Sequence, residues 1–326
     1  MTPGRYVVYG AGAVGGTIGA RLHQANHDVT LIARGAHLQA LQSGGLRFRT
    51  PDEDVTLPIA AAGAPAEVDW RAGDVAILAM KTQDTPAALA ALAAAAPSEV
   101  AVVCAQNGVE NERLTLRLFP NTYGVCVMLP AAHLEPGAVE AYGAPLLGLL
   151  DVGRYPSGVD AAAEGIATDL TGAGFSSHAV PDTLRLKYRK LIMNLGNAIE
   201  AAAGTAARTS DLYARAAAEG ETVLAAAGIE AASVEEDTTR RGELMRMRPV
   251  DGKRRDGGST WQSLARGAGA IESDYLNGEI VLLGRQHGIP TPVNEALQRI
   301  ANRMAAERRP PGSMTLDELE AAMPRQ

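Results

Sequence analysis

One lysine and two asparagines have the spacing of a single helical face, and together they could carry out proton-transfer chemistry. Lys190, Asn194 and Asn197 are separated by four and three residues, so they lie on the same side of a predicted helix. A lysine ammonium is charged at neutral pH and can donate a proton, and asparagine amides can hold a substrate. Because a polar stripe is costly to bury without partners, this face is either the wall of a polar site or a solvated surface.

Two further polar residues follow predicted apolar strands. Lys81 comes directly after the run 74–80, and Asn107 comes shortly after the run 99–104. Ligands of open parallel sheets bind beyond the carboxyl ends of the strands, so both side chains are candidates for contact with a cofactor. The alternative is that each is a turn residue, since Asn107-Gly108 is a favourable turn pair.

Later in the chain, an acidic residue could assist the lysine. Glu272, Tyr275 and Glu279 have the spacing of one helical face. Glu272 could orient and polarise a catalytic lysine, or it could be a solvated carboxylate.

These candidates need a scaffold that holds a reactive cofactor. The start of the chain has the sequence pattern of such a scaffold. The apolar run Val7–Tyr9 precedes a helical pattern, and between them lies Gly10-Ala11-Gly12-Ala13-Val14-Gly15. In such a turn the first glycine permits the tight bend and the second lets the backbone approach a pyrophosphate. The third glycine lets helix and strand pack closely, and the helix N-terminus faces the phosphates. The motif predicts a dinucleotide site, and a plain tight turn is the alternative.

The end of the second predicted strand indicates which dinucleotide binds. The run His27–Ala33 ends at Arg34, and no acidic residue adjoins Arg34 in the sequence. An acidic residue at this point binds the ribose 2′-hydroxyl of NAD, whereas an arginine accommodates the 2′-phosphate of NADP. Asp28 lies at the opposite end of the strand. We therefore predict NADP, bound through Arg34, with an ordinary solvated charge as the alternative.

The composition excludes several classes of protein. Aromatic residues at 4% and a net charge of −7 argue against a nucleic-acid partner, which requires stacking rings or a basic face. The sequence shows no signal segment and no apolar stretch of membrane-spanning length, so we expect a cytoplasmic protein with no membrane partner. Cys104 and Cys126 are expected to be buried thiols. The six histidines have no metal-ligand spacing, so no metal is expected.

The first part of the chain, 1–181, predicts an α/β domain. Near-continuous apolar runs alternate with alanine-rich helices, which indicates a doubly wound, mostly parallel sheet. Further strands are predicted at 123–129 and, as the last one, at 146–150.

The second part, 182–326, predicts an all-α domain. Long helical patterns cover 182–203, 210–227, 265–286 and 293–306, and Thr315–Glu318 has the pattern of a capping box. Residues 233–259 carry six arginines and one lysine. We interpret this stretch as a mobile surface loop, with a lid over a site that binds phosphate or carboxylate as the alternative.

Taken together, these residues resemble the ketopantoate reductase (2-dehydropantoate 2-reductase) family over nearly the whole chain. The resemblance rests on motifs in family order: Gly10–Gly15, Arg34, Lys81, Gln106-Asn107-Gly108, Lys190–Asn194, Gly258–Gln262, Glu272–Gly278 and His287–Pro292.

The resemblance implies an N-terminal Rossmann domain and a helical domain like that of 6-phosphogluconate dehydrogenase. It implies an NADP-dependent oxidoreductase of pantothenate biosynthesis that reduces a 2-oxo acid, and it is compatible with a homodimer. By position, Lys190 matches the proton donor and Glu272 an acidic residue near the lysine and cofactor. Asn107 matches a residue that touches nicotinamide and substrate, and Asn194 and Ser259 match substrate-binding positions. Gly10–Gly15, Arg34 and Lys81 complete the cofactor set.

The chain also departs from the family pattern. The family helix carries a second asparagine where this chain has Ala198, and another expected near 208–210 has no counterpart. Asn197 shares the Lys190 face and could compensate as a substrate ligand. The departures leave open a different 2-oxo acid or an imine as substrate, and a non-catalytic NADP-binding sensor is the alternative from another class.

Overall fold

The computed structural model describes residues 4–324, which form two units. Unit 1 comprises the chain up to Gln106, Glu110–Leu184 and Glu235–Arg255. Unit 2 comprises Asn107–Val109, Arg185–Val234 and the chain from Asp256 onward. The main division therefore falls three residues after Pro181, and one segment of the second half packs with unit 1.

Unit 1 contains all the strands of the described chain. In chain order they are β1 Tyr6–Tyr9, β2 Val29–Ile32, β3 Leu46–Arg49, β4 Asp54–Leu57, β5 Ala60–Ala62, β6 Val75–Leu78, β7 Ala101–Cys104, β8 Thr122–Met128, β9 Ala131–Ala132, β10 Ala138–Ala141, β11 Gly143–Pro145, β12 Leu149–Arg154 and β13 Met245–Met247.

The helices are distributed over both units. They are α1 Ala13–Gln24, α2 Gly35–Gly44, α3 Thr85–Ala95, α4 Asn111–Leu116, α5 Ala161–Gly172, α6 Thr183–Asn194, α7 Gly196–Ala203, α8 Asp211–Ala226, α9 Val234–Arg241, α10 Ser259–Ala265, α11 Asn277–His287, α12 Pro292–Ala306 and α13 Leu316–Ala321. Short 3-10 helices occur at Pro65–Glu67, Thr82–Asp84, Thr205–Thr209 and Glu272–Tyr275.

The main sheet of unit 1 has seven strands in the order β12-β8-β7-β6-β1-β2-β5. All neighbours are parallel except β12, which runs antiparallel to β8. The chain leaves β1 for β2 and β5 on one side and returns to β6 on the other, which is the switch point where doubly wound sheets bind ligands. The predicted doubly wound, mostly parallel sheet is confirmed. Its last strand is Leu149–Arg154 rather than 146–150.

A second sheet, in the order β4-β3-β10-β9, packs against α1 and was not predicted. Its strands are short and partly polar, so their sequences lack the apolar runs that mark the main sheet. The contact is close, because a Cβ atom added at Gly16 would lie 2.8 Å from Val139.

The described part of unit 2 is helical throughout, as predicted, and α8 and α12 lie within one residue of their predicted ends. The capping box of Thr315 and Glu318 is also observed. Two predicted helices are corrected. The one at 182–203 is interrupted at Leu195. The one at 265–286 is wrong in its first half, because α10 ends at Ala265 and Gly267 turns the chain with a φ of +66°, whereas its second half is α11.

The charged stretch is ordered structure instead of the expected loop. It contains α9 and β13, and β13 pairs antiparallel with β11 of unit 1. We call residues 235–255 the arm. The arm is held by Asp151 of β12, which is 3% exposed and accepts a hydrogen bond from Nε of Arg240. In the described chain, both Nη atoms of Arg240 are buried without a hydrogen-bond partner, so the guanidinium depends on Asp151.

Other sequence expectations concern the cysteines and membrane helices. Cys104 and Cys126 are buried in β7 and β8 and form no disulfide, as predicted. Within residues 4–324, no helix is long and apolar enough to span a membrane.

The anchoring of the arm can be tested by truncating Asp151. We expect Asp151→Ala to lower the free energy of unfolding by about 3–5 kcal/mol, because it leaves a buried guanidinium unpaired. Asp52→Ala is the matched control, since Asp52 pairs with Arg248 of the arm at the surface; it should cost about 0–1 kcal/mol. Urea unfolding measures both values. Equal costs, or no selective rise in hydrogen exchange of residues 235–255, would contradict this account.

Candidate functional site

The glycine turn has the close packing that its motif predicts. Gly10 has a φ of +101°, and a Cβ atom there would lie 2.6 Å from the backbone nitrogen of Met80. A Cβ atom at Gly15 would lie 2.2 Å from the carbonyl oxygen of Gly10 and 2.9 Å from Val8. Since real Cβ atoms do not approach so closely, glycine is required at both positions for α1 to pack on the end of β1.

Gly12 differs from its neighbours because the space beside it is open. A Cβ atom at Gly12 would meet only Cδ2 of His133, at 4.0 Å. Gly12 is the N-cap of α1, and the first turn of α1 contains no acidic residue. The start of a twelve-residue helix therefore borders an accessible space, and the unpaired N–H groups of a helix N-terminus suit an anionic pyrophosphate.

Two histidines support this turn, and neither is predicted from the sequence pattern. Nδ1 of His37 accepts a hydrogen bond from the backbone N–H of Gly137, so Nε2 carries the proton and donates to the carbonyl of Ala11 at 2.7 Å. Burial lowers the pKa of His37, against the smaller raising effect of the Ala11 bond. The ring of His133 lies 4.3 Å from that of His37. No sequence signal joins them, because they belong to distant segments.

Arg34 follows β2, as predicted, but it has an acidic neighbour. It is the N-cap of α2, and its side chain is 82% exposed. Nη2 of Arg34 donates a hydrogen bond to Oδ2 of Asp84 at 3.0 Å. Asp84 ends the 3-10 helix that starts directly after Lys81, which lies half-buried beyond β6. No acidic residue adjoins Arg34 in the sequence, but the fold places the carboxylate of Asp84 beside it.

A buried polar network ties together the loops that follow β6 and β7. Nε2 of Gln106 donates to the carbonyl of Met80 at 3.0 Å and to Oγ1 of Thr85 at 2.8 Å. Thr85 donates to Asn111, whose amide donates to Thr82. These bonds fix the chain on either side of Lys81 and immediately before Asn107.

In unit 2, the structure brings together two predicted site residues, Asn107 and Asn194. Lys190 and Asn194 lie on α6, Lys190 half-buried and Asn194 buried. Nδ2 of Asn194 donates a hydrogen bond to Oδ1 of Asn107 at 3.3 Å. Asn107 follows the main sheet in the chain but belongs to unit 2, so it shares a unit with the lysine helix.

Two side chains with no predicted role donate hydrogen bonds to carbonyl groups at the break between α6 and α7. The carbonyl of Leu195 accepts from Nδ2 of Asn277 at 3.2 Å, and Asn277 is 1% exposed. The carbonyl of Met193 accepts from Nη2 of Arg208 at 3.0 Å. These bonds hold the helix ends that carry Asn194 and Asn197.

Asn197 is buried on α7 and already engaged. Its Oδ1 accepts from Nη1 of Arg208 at 2.6 Å, and the same Nη1 donates to Oε2 of Glu200 at 2.8 Å. Gly258 approaches this cluster closely, since a Cβ atom there would lie 2.8 Å from Oε2 of Glu200. Ser259, the next residue, is half-buried at the start of α10.

Glu272 is buried, at 4% exposure, and is the first residue of a 3-10 helix. The predicted helical face shared with Tyr275 and Glu279 is wrong, because Leu276 has φ −117° and ψ −91° and separates the 3-10 helix from α11.

A doubly wound sheet with an open glycine turn, and a helical unit with a lysine and an asparagine on one helix, are typical of a dinucleotide-dependent oxidoreductase. Comparison with known families gives the particular family. The model described as "Ketopantoate reductase PanE/ApbA" matches residues 6–156, and the corresponding C-terminal model matches residues 182–305. The chain belongs to the ketopantoate reductase family.

Relatives named 2-dehydropantoate 2-reductase extend over most of the chain. The one from Mesorhizobium japonicum is 30% identical and covers 93% of this chain and 98% of its own. The one from Archaeoglobus fulgidus is 31% identical and covers 90% of this chain and 95% of its own. The chain is accordingly an oxidoreductase of the class that acts on CH–OH groups, in a family of pantothenate biosynthesis, and the family implies a nicotinamide cofactor.

Solved structures agree in fold. A ketopantoate reductase of the PanE/ApbA family from Ralstonia eutropha has a TM-score of 0.77 at 28% identity, covering 93% of this chain and 99% of its own. A D-mandelate dehydrogenase with NADH and anilino(oxo)acetate has a TM-score of 0.78 at 24% identity, covering 93% and 99%. A dimeric ketopantoate reductase from Staphylococcus aureus has a TM-score of 0.70 at 20% identity, covering 93% and 99%.

The open space at Gly12 gives a test of cofactor binding. Gly12→Ala should fold normally, since its φ of −74° suits alanine, but should weaken dinucleotide binding roughly tenfold or more by occupying that space. Gly15→Ala is the contrasting variant. The overlap of its Cβ atom with the carbonyl oxygen of Gly10 should destabilise the fold by about 1–3 kcal/mol or more. Thermal unfolding and fluorescence titration with NADPH give the two readouts. Wild-type affinity in Gly12→Ala would refute the assignment.

Proposed function

We propose that this protein reduces a 2-oxo acid with NADPH, and that the substrate is 2-dehydropantoate (ketopantoate), which yields pantoate. The bond between Asn107 and Asn194 is the observation that carries the proposal. It brings together, within unit 2, two of the predicted substrate-binding residues, and Asn194 lies one helical turn after Lys190 on α6. Family membership supports the same activity.

The residues divide into cofactor-binding and substrate-binding groups. NADPH supplies the hydride when it is bound. The glycine turn, Arg34 and Lys81 would hold its phosphates, and Asn107 and Glu272 would complete the cofactor site. The open edge of Gly12 and the exposed guanidinium of Arg34 fit the pyrophosphate and a 2′-phosphate.

The protein must also supply a proton and stabilise the developing charge. The Lys190 ammonium would protonate the substrate oxygen as the carbonyl carbon accepts the hydride, so that the alkoxide never accumulates. Asn107 and Asn194 would orient the carbonyl. Ser259 would bind the carboxylate, and Glu272 would position Lys190.

A specific observation favours a second candidate, a different 2-oxo acid or an imine. Ala198 offers no hydrogen-bonding group, and Oδ1 of Asn197 is already bonded to Arg208. Asn197, proposed as a substrate ligand, thus has one lone pair of Oδ1 already engaged by Arg208, which leaves it fewer groups to offer a substrate hydroxyl. We also propose a homodimer, the assembly of the Staphylococcus aureus relative.

The role of Lys190 gives a direct test. Lys190→Ala should cut kcat by roughly a hundredfold or more, the usual contribution of a general acid, while the Kd for NADPH changes by less than about twofold. Lys190→Arg keeps the charge but raises the pKa of the donor, and should recover only part of the activity. Steady-state kinetics and cofactor titration separate the effects. Full turnover in Lys190→Ala would assign the lysine a structural role.

The substrate prediction concerns the hydroxyl end of ketopantoate. We expect measurable reduction of ketopantoate. Its KM should be roughly one to two orders of magnitude higher than in a site that contains both family asparagines, because a substrate hydroxyl left without a hydrogen-bond partner costs about 1–3 kcal/mol. Consequently the analogue lacking the hydroxyl should be used about as well.

Steady-state kinetics with both substrates provides the measurement, and Asn197→Ala is the informative variant. If the wild-type protein strongly prefers ketopantoate and Asn197→Ala abolishes that preference, then Asn197 has taken over the role of the missing asparagines. The prediction would then be wrong.

A further inference from the structure

Arg34, which carries the predicted preference for a 2′-phosphate, is already hydrogen-bonded to a carboxylate. Its Nη2 lies 3.0 Å from Oδ2 of Asp84, and the two side chains are 82% and 38% exposed. The pair joins the N-terminus of α2 to the 3-10 helix after β6. Any ligand group that binds Arg34 at this position therefore also meets a negative charge.

The pair lies at the switch point of the main sheet. Strands β2 and β6, which precede the two residues, are the two neighbours of β1. Tyr9 ends β1, and both charges act on it. Burial raises the pKa of Tyr9 most, Arg34 lowers it, and Asp84 raises it by the smallest of the three effects. Arg34 and Asp84 thus stand together beyond the carboxyl end of the central strand, where a dinucleotide binds.

The charge of Asp84 is not needed to cap a helix. Asp84 is the N-cap residue of α3, but its side chain makes no capping hydrogen bond. Its carboxylate is instead bonded to Arg34. Since asparagine is equally suited to an N-cap position, the fold does not require an aspartate here.

We propose that Asp84 is a second determinant of cofactor specificity, and that it makes the protein accept NADH as well as NADPH. This inference rests on the proposed nicotinamide-dependent function. In dinucleotide sites an acidic residue at the end of the second strand accepts a hydrogen bond from the ribose 2′-hydroxyl of NAD. Asp84 follows β6, but its bond to Arg34 brings its carboxylate to the residue that follows β2, so it would take this role toward NADH. The same carboxylate repels the 2′-phosphate of NADPH and competes with it for the Arg34 guanidinium. Arg34 would thereby favour NADPH, and Asp84 would favour NADH.

The expected size of the effect is modest, because both groups are exposed and screened by salt. We expect the wild-type protein to bind NADPH and NADH with Kd values within about tenfold of each other. Asp84→Asn should tighten NADPH binding by roughly threefold to tenfold and weaken NADH binding by a similar factor. The gain for NADPH should shrink at high ionic strength, because it is electrostatic.

Fluorescence titration with each cofactor tests this, without substrate. Asp54→Asn is the matched control, since Asp54 is a half-exposed carboxylate of unit 1 that pairs with Arg47 on the second sheet. It should leave both Kd values unchanged. Arg34→Ala should weaken NADPH binding and leave NADH binding nearly unchanged. In the Arg34→Ala background, Asp84→Asn should tighten NADPH less than it does in the wild type.

The possible outcomes distinguish this inference from the proposed function. If the wild-type protein binds NADPH and Asp84→Asn leaves the ratio of the two Kd values within twofold, the role of Asp84 is refuted and the proposed function stands. A wild-type preference for NADPH above a hundredfold would also refute it. If the wild-type protein binds neither cofactor, the proposed function falls, and this inference falls with it.

Discussion

The rest of the structure depends on how closely one backbone turn can pack. Gly10 lies against the backbone of Met80 after β6, and Gly15 lies against Gly10 itself. Any side chain at either position would separate α1 from the central strand. This contact aligns the N-terminus of α1 with the switch point between β2 and β6, so the N–H groups at the start of α1 and the Arg34–Asp84 pair lie along the same edge of the sheet.

A second constraint governs the polar residues of unit 2. Amides and carboxylates inside a helical unit destabilise the fold unless each one is paired. The interruption at Leu195 leaves carbonyl groups that Asn277 and Arg208 satisfy. Arg208 also holds Asn197 and Glu200. The side chains that would meet a substrate are thus held by bonds that also complete the helices, which fixes their geometry before any ligand binds.

Local patterns predicted much of the fold. The apolar runs of β1, β6 and β7 were recognised because a strand buried on both faces has a sequence that differs from that of any loop. Helices α8 and α12 were placed within one residue because their periodicity and caps are local. The short strands of the second sheet and the arm were missed, since their stability comes from distant partners such as Asp151 for Arg240.

The sequence by itself determined the glycine turn, the alternation of strands and helices, the lysine and asparagine spacing and the family, because each is encoded in the type and order of residues along the chain. Only the tertiary structure decided which groups those residues meet. Asp84 reaches Arg34, Arg208 occupies Asn197 and Asn107 bonds to Asn194, each across many residues of chain. The physical reason is that hydrogen bonds and charge pairs act over a few ångströms in space, whereas a sequence pattern records only neighbours along the chain.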